Sequence, residues 1–171
     1  LQGGVTYDII QTVTLDPLKV RGVVGNNATL KVYSDIPAIA ITGHLPSDAS
    51  ANPNSYPDTM YGEMSSFIEK LRVTCDKPSA DEANFVGTGL TIDSTLGLNI
   101  YDCHFFKLKN GVQFKNRNRN TNFIGNHLLY LTGVAVLFDE TSNHHQINMN
   151  GNHISYFRKG LQFMPGSQTF N

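Results

Sequence analysis

Charge is scarce in this sequence. Only 16% of the 171 residues are Asp, Glu, Lys or Arg, against ~25% in a typical soluble domain. Thirteen basic residues against 14 acidic ones leave a formal net charge of −1. That balance argues against nucleic-acid binding through bulk electrostatics and against a charged disordered tail. Cysteine is nearly absent too. Cys75 and Cys103 are the only two, too few for a disulfide framework or a four-ligand zinc site, and they read as buried free thiols. No apolar run approaches the ~18 residues of a membrane span, so membrane insertion is not expected. No basic-then-apolar signal segment stands at Leu1, and a start at Leu rather than Met reads as a processed or excised chain.

What is present is a repeat. Ile100-Tyr101-Asp102-Cys103-His104-Phe105 is followed by Gly111-Val112-Gln113-Phe114, Ile124-Gly125-Asn126-His127-Leu128 by Gly133-Val134-Ala135-Val136, and Met149-Asn150-Gly151-Asn152-His153-Ile154 by Gly160-Leu161-Gln162-Phe163. The three His are 23 and 26 residues apart. Fainter copies stand at Val24-Gly25-Asn26-Asn27-Ala28, Val73-Thr74-Cys75-Asp76 and Gly89-Leu90-Thr91-Ile92. A unit of this length, made of short alternating strands between Gly/Asn corners, is one coil of a solenoid. No coil buries its inner face alone, so coils stack and share a core. Helical repeats need a 3.6-residue period, and leucine-rich repeats a denser leucine pattern; neither is found.

The expected fold is therefore all-β, a right-handed parallel β-helix running through residues 1–171 as a single domain. Loop insertions are expected at about 44–62, where Pro46, Pro53 and Pro57 cluster, and at about 77–89. Asn126 and Asn152, with Asn26, are expected to form a hydrogen-bonded ladder inside a corner, broken where Cys103 and Asp76 take that place. Met64 to Leu71 is mildly helical, with Ser65 or Ser66 as a cap. Phe105, Phe114, Phe123, Phe138, Phe157 and Phe163 are expected as core stacks. The chain stops soon after Phe163 without an obvious cap, which reads as a segment of a longer protein or an end covered by another chain.

Chemistry is less legible. Residues 97–171 carry seven Lys/Arg against Asp102, Asp139 and Glu140, a net of +4, and residues 1–96 carry six against 11, a net of −5. The basic half suits an anionic polymer. Lys115-Asn116-Arg117-Asn118-Arg119-Asn120 alternates cations with amides, and in an extended strand the cations share one side. The favoured reading is an ion pair between Lys115 or Arg117 and Asp139 or Glu140 of the next coil. The functional alternative is a sugar-binding rim of Lys115, Arg117, Arg119 and His144, with Tyr56 and Tyr61 as stacking platforms beside the proline-rich loop. Candidate catalytic residues are Asp139, Glu140 and His145. Glycoside hydrolysis needs two carboxyls flanking the bond, whereas Asp139 and Glu140 are adjacent and would face opposite sides of a strand. His104, His127 and His153 fall on one line, but corner histidines more often bond the neighbouring backbone, so no metal and no cofactor is assigned. His144-His145 reads as a solvated loop.

The opening Gly3-Gly4-Val5-Thr6-Tyr7-Asp8-Ile9, then Leu15-Asp16 and Val24-Gly25-Asn26-Asn27-Ala28-Thr29-Leu30, resembles that of right-handed parallel β-helix proteins of the pectate-lyase-like superfamily, in particular bacteriophage tailspikes and prophage tail appendages. The repeated Asn-His-apolar corners are similar to the generic repeat of that superfamily, and the resemblance spans roughly residues 3–165. It implies a homotrimer on a virion tail or outside the cell, bound to a bacterial surface polysaccharide. It leaves open whether the chain is an enzyme, a polysaccharide lyase or glycoside hydrolase, since binders and enzymes share the fold. The sequence has no Asp cluster like the calcium site of pectate lyases and no grouped Asp like those of polygalacturonases. Two other readings stand beside the first: a structural or assembly module without glycan activity, and a secreted polysaccharide lyase or hydrolase.

Overall fold

The computed structural model describes residues 1–46 and 58–170. Six coils follow one another, each contributing strands to three faces. The first coil holds β1 (Thr6–Ile9), β2 (Val13–Leu15) and β3 (Gly22–Val24), and the second β4 (Thr29–Val32), β5 (Pro37–Thr42) and β6 (Phe67–Glu69). The third holds β7 (Arg72–Cys75), β8 (Thr88–Asp93) and β9 (Asn99–Tyr101), and the fourth β10 (His104–Leu108), β11 (Asn110–Lys115) and β12 (Arg117–Ile124). In the fifth and sixth, single strands bend across the first two faces. These are β13 (His127–Phe138) with β14 (Asn143–Asn150), then β15 (His153–Phe163) with β16 (Gln168–Phe170). Every named pairing is parallel, coil to coil, so the chain is a parallel β-helix.

Parallel in-register stacking turns the sequence repeat into interior columns. On the first face Tyr7, Leu30, Val73, Phe105, Leu128 and Ile154 lie over one another. On the second, Leu15, Ile41, Ile92, Phe114, Phe138 and Phe163 do so, with the last three rings stacked at 5.0 and 4.5 Å. On the third, the column is Val23, Ile68, Ile100, Phe123 and Met149. Each residue fully buried this way contributes ~1.5–3 kcal/mol. Phe105, Phe114, Phe123 and Phe138 are buried as expected. Phe157 and Phe163 are 44% and 52% exposed, because they lie on the last coil and are covered from one side only.

The corners show where the sequence misleads. Between the third and first faces, backbone φ is positive at Asn27, Lys70, Asp102, Gly125 and Gly151. The next residue points inward: Ala28, Leu71, Cys103, Asn126 and Asn152 in successive coils. Asn126 and Asn152 form the expected ladder. The Asn126 backbone N–H and Nδ2 donate to Asn152 Oδ1 at 2.9 and 3.1 Å, and Asn126 Oδ1 accepts from the Cys103 N–H at 2.9 Å. Asn26 is not a rung. It is exposed and donates to the Leu1 carbonyl, while Ala28 takes the place; in the third coil Leu71, not Asp76, takes it.

Gly111, second in β11, is glycine because a Cβ there would meet the Ala135 carbonyl at 2.5 Å and Leu128 Cδ2 at 2.7 Å. Its counterpart in the fifth coil is Ala135, not Gly133, since Val112 pairs with Val136. The register shifts between Leu131 and Val134, where the fifth coil carries an extra residue. Met64 to Leu71 is not helical. A 3-10 helix ends at Glu63, Ser65 takes φ of 74°, and Phe67–Glu69 pairs between β3 and β9. The thiols of Cys75 and Cys103 are free and buried, and burial pushes Cys103 up to about 12.

Asn126 also donates from Nδ2 to the Ile100 carbonyl at 3.1 Å. Asn126→Ala would leave buried backbone groups of two coils unpaired, a loss of about 2–4 kcal/mol. A lower urea midpoint with an unchanged denaturant slope is the expected result.

Candidate functional site

At the corner between the first and second faces, Lys107, Tyr130 and Tyr156 occupy equivalent places, with positive φ of 52°, 52° and 51°. Left-handed backbone suits Gly or Asn, and costs other residues ~1–2 kcal/mol each. Here it turns the phenol rings outward, where Tyr130 and Tyr156 stack at 4.8 Å and 9° between planes. Tyr156 is 70% exposed. The rings border an open groove of about 620 Å³, also lined by Thr132, Phe157 and Arg158. Its far wall comes from the insertion between β7 and β8, whose 3-10 helix Ser79–Asn84 brings Glu82 and Ala83 against β13. Among the described residues Arg158 makes no ion pair. The groove therefore combines aromatic surface, a free cation and a carboxylate, the mixture expected of a site for a polyhydroxylated ligand.

His104, His127 and His153 stack outside the first face, with ring centroids 4.6 and 5.7 Å apart. The rings lie over one another instead of converging. Among the described residues no group of three His, Cys, Asp or Glu is placed to hold a metal ion.

The residues expected from sequence are dispersed. Lys115 ends β11 on the second face, and Asn116, with φ of 48°, turns the chain before Arg117. Lys115, Arg117 and Arg119 thus form no single row. Arg117 is buried, 2% exposed, with Nη1 donating to the Pro46 carbonyl at 3.4 Å. Arg119 is half-buried and pairs in register with His145, whose pKa is lowered by burial and then by Arg119 and Arg117. Asp139 is a turn anchor: Oδ1 accepts from the Thr141 N–H, Thr141 Oγ1 and Ser142 Oγ, and Oδ2 from Gln113. These bonds stand where an ion pair across coils was expected. Glu140 is exposed beside it. Tyr56 lies outside the described residues, and Tyr61 is 46% exposed.

No protein-family model, curated protein or solved structure matches the chain.

His144 departs furthest from expectation. It lies in β14, not in a solvated loop, and is fully buried. Its Nδ1 accepts from the Asn118 N–H at 3.2 Å, and Asn118 Oδ1 in turn accepts from Thr95 N–H and Oγ1, each at 2.9 Å. Thr95, Asn118 and His144 are thus a second internal polar ladder. The imidazole lies against Phe114 and Phe138, and among the described residues its Nε2 has no hydrogen-bond partner.

Two features escaped the sequence reading. Tyr130 and Tyr156 sit 26 residues apart, the same offset as His127 and His153, so the repeat carried that signal. Glu63 carried none. Its buried carboxylate accepts from the His44 N–H at 2.7 Å and the Leu96 N–H at 3.2 Å, and lies 2.7 Å from His44 Nδ1. It thereby ties His44, just after β5, to Leu96 of the third coil.

Burial pushes the His144 pKa down to about 4, against an opposing pull from Asp139. The unfolded chain, near the ordinary value of ~6.5, binds this proton first. Stability is full above pH 6.5 and falls as pH drops toward 4, by about 3 kcal/mol from this residue. Urea titrations between pH 4 and 7 should show that slope, and His144→Gln should flatten it. An unchanged slope in the variant would remove His144 as its source.

Proposed function

We propose that this chain is a β-helical glycan-binding segment of a phage or prophage tail appendage, directed at a bacterial surface polysaccharide. The observation that carries the reading is the exposed Tyr130–Tyr156 stack along an open groove, held in backbone that disfavours tyrosine. Lys107 takes the same backbone one coil earlier, so the bend belongs to the fold, and it sets the two phenol rings outward in a stack beside the groove. The parallel β-helix and the likeness of the opening residues to tail appendages support the choice of glycan, and the same likeness implies a homotrimer outside the cell. The reading stops at binding. Of the candidate catalytic residues, Asp139 spends its oxygens on Thr141, Ser142 and Gln113.

The test is equilibrium binding to a panel of bacterial capsular and O-antigen polysaccharides, with reducing ends assayed in parallel. Binding without release is expected, and Tyr156→Ala should weaken it about tenfold, the equivalent of ~1.4 kcal/mol for a lost aromatic contact. Release of reducing ends that Glu140→Ala or His145→Ala abolishes would make the chain an enzyme. Absence of both binding and release would favour the structural module.

A further inference from the structure

The imidazole column and the groove are two ends of the same strand segments. His127 and His153 each precede a groove tyrosine by three residues, about 10 Å of extended chain. Arg72 pairs in register with His104 at the foot of the column. Arg72 and Lys107 both lie over the Phe106 ring, at 5.3 and 5.9 Å, which holds two cations on this face. Arg158 adds a third beside Tyr156. The acidic groups nearby are Asp102, at the corner below His104, and Asp81 and Glu82 on the 3-10 helix across the groove. Asp81 accepts a hydrogen bond from Asn84 at 2.6 Å.

We propose that the groove's ligand is an anionic glycan whose acidic groups lie along the His104–His127–His153 column and draw protons onto it. This rests on the glycan-binding reading and specifies its substrate class. Imidazoles stacked 4.6 Å apart resist charging together, because each positive ring disfavours the next. His104 shows the effect, its pKa lowered by burial, then by His127 and Arg72, against an opposing pull from Asp102. His104 is thereby held toward its neutral form in the free protein. A carboxylate or other acidic group laid against the column removes the repulsion and favours the charged rings. By linkage, binding takes up protons, and acid strengthens binding. Glu82 on the opposite wall repels an acidic group there, which directs the ligand's charges toward the column and its uncharged ring faces toward Tyr156.

The experiment uses polygalacturonate oligomers and their carboxyl-reduced, neutral counterparts as probes, titrated calorimetrically at pH 7.5 and 5.5. Repeating each titration in two buffers of different ionisation heat counts the protons taken up. The charged probe should bind about fivefold more tightly for each imidazole that gains charge, with net proton uptake, while the neutral probe binds alike at both pH values. His127→Gln, checked for intact fold by circular dichroism, should reduce both the pH dependence and the uptake. Tyr156→Ala should weaken both probes at both pH values. Equal binding of the two probes, or affinity independent of pH, overturns the column's role and leaves the glycan reading standing. Binding of neither probe, together with no binding across the polysaccharide panel, overturns both.

Discussion

Everything in this molecule depends on parallel strands stacking in register from one coil to the next. In that arrangement a side chain's principal neighbours are its counterparts one coil before and one coil after. Phe114 meets Phe138, Asn126 meets Asn152, His104 meets His127 and Tyr130 meets Tyr156. Apolar columns inside supply the burial, and the strand ladders satisfy the backbone. The outer columns are then free to differ in chemistry from corner to corner.

The interior is not purely apolar, and its polar rungs stand where the backbone turns. Asn126 and Asn118 each reach carbonyls and N–H groups that the bend takes out of the ladder. With an apolar residue in place of either Asn, those groups would be buried and unpaired, at ~1–3 kcal/mol apiece. The first three coils manage the third-to-first corner with Ala28, Leu71 and Cys103 instead, so the ladder is a local solution used in the later coils. His144 extends the second ladder with an acceptor that works only when neutral, which ties part of the fold's stability to proton concentration.

The fold was legible in the sequence because the repeat and the burial pattern have one cause. Ile100, Phe123 and Met149 recur at the repeat interval, and they are one column. Corner residues were less legible. Asn and Gly announce left-handed backbone, but Lys70, Lys107, Tyr130 and Tyr156 adopt it against their local preference, because closing the coil overrides propensity. The candidate site suffered for the same reason. Lys115, Arg117 and Arg119 alternate in sequence, yet the turn at Asn116 separates Lys115 and buries Arg117, so alternation implied a row that the backbone does not provide. Glu63 could not be read at all. Its role follows from His44 and Leu96, 19 and 33 residues away, meeting it across a corner, and no local pattern encodes that.

The extra residue of the fifth coil carries a more general consequence. On either side of it, Leu131 sits on Leu108 and Val136 on Val112, so both columns close as though nothing had been inserted. Within a strand, one added residue would exchange inside for outside along everything that follows. At a corner the same residue is absorbed by the bend. Coil length in such a protein is thus continuous at corners and comes only in steps of two along the faces. The fourth and fifth coils differ by one residue at this corner while their interior columns stay in line.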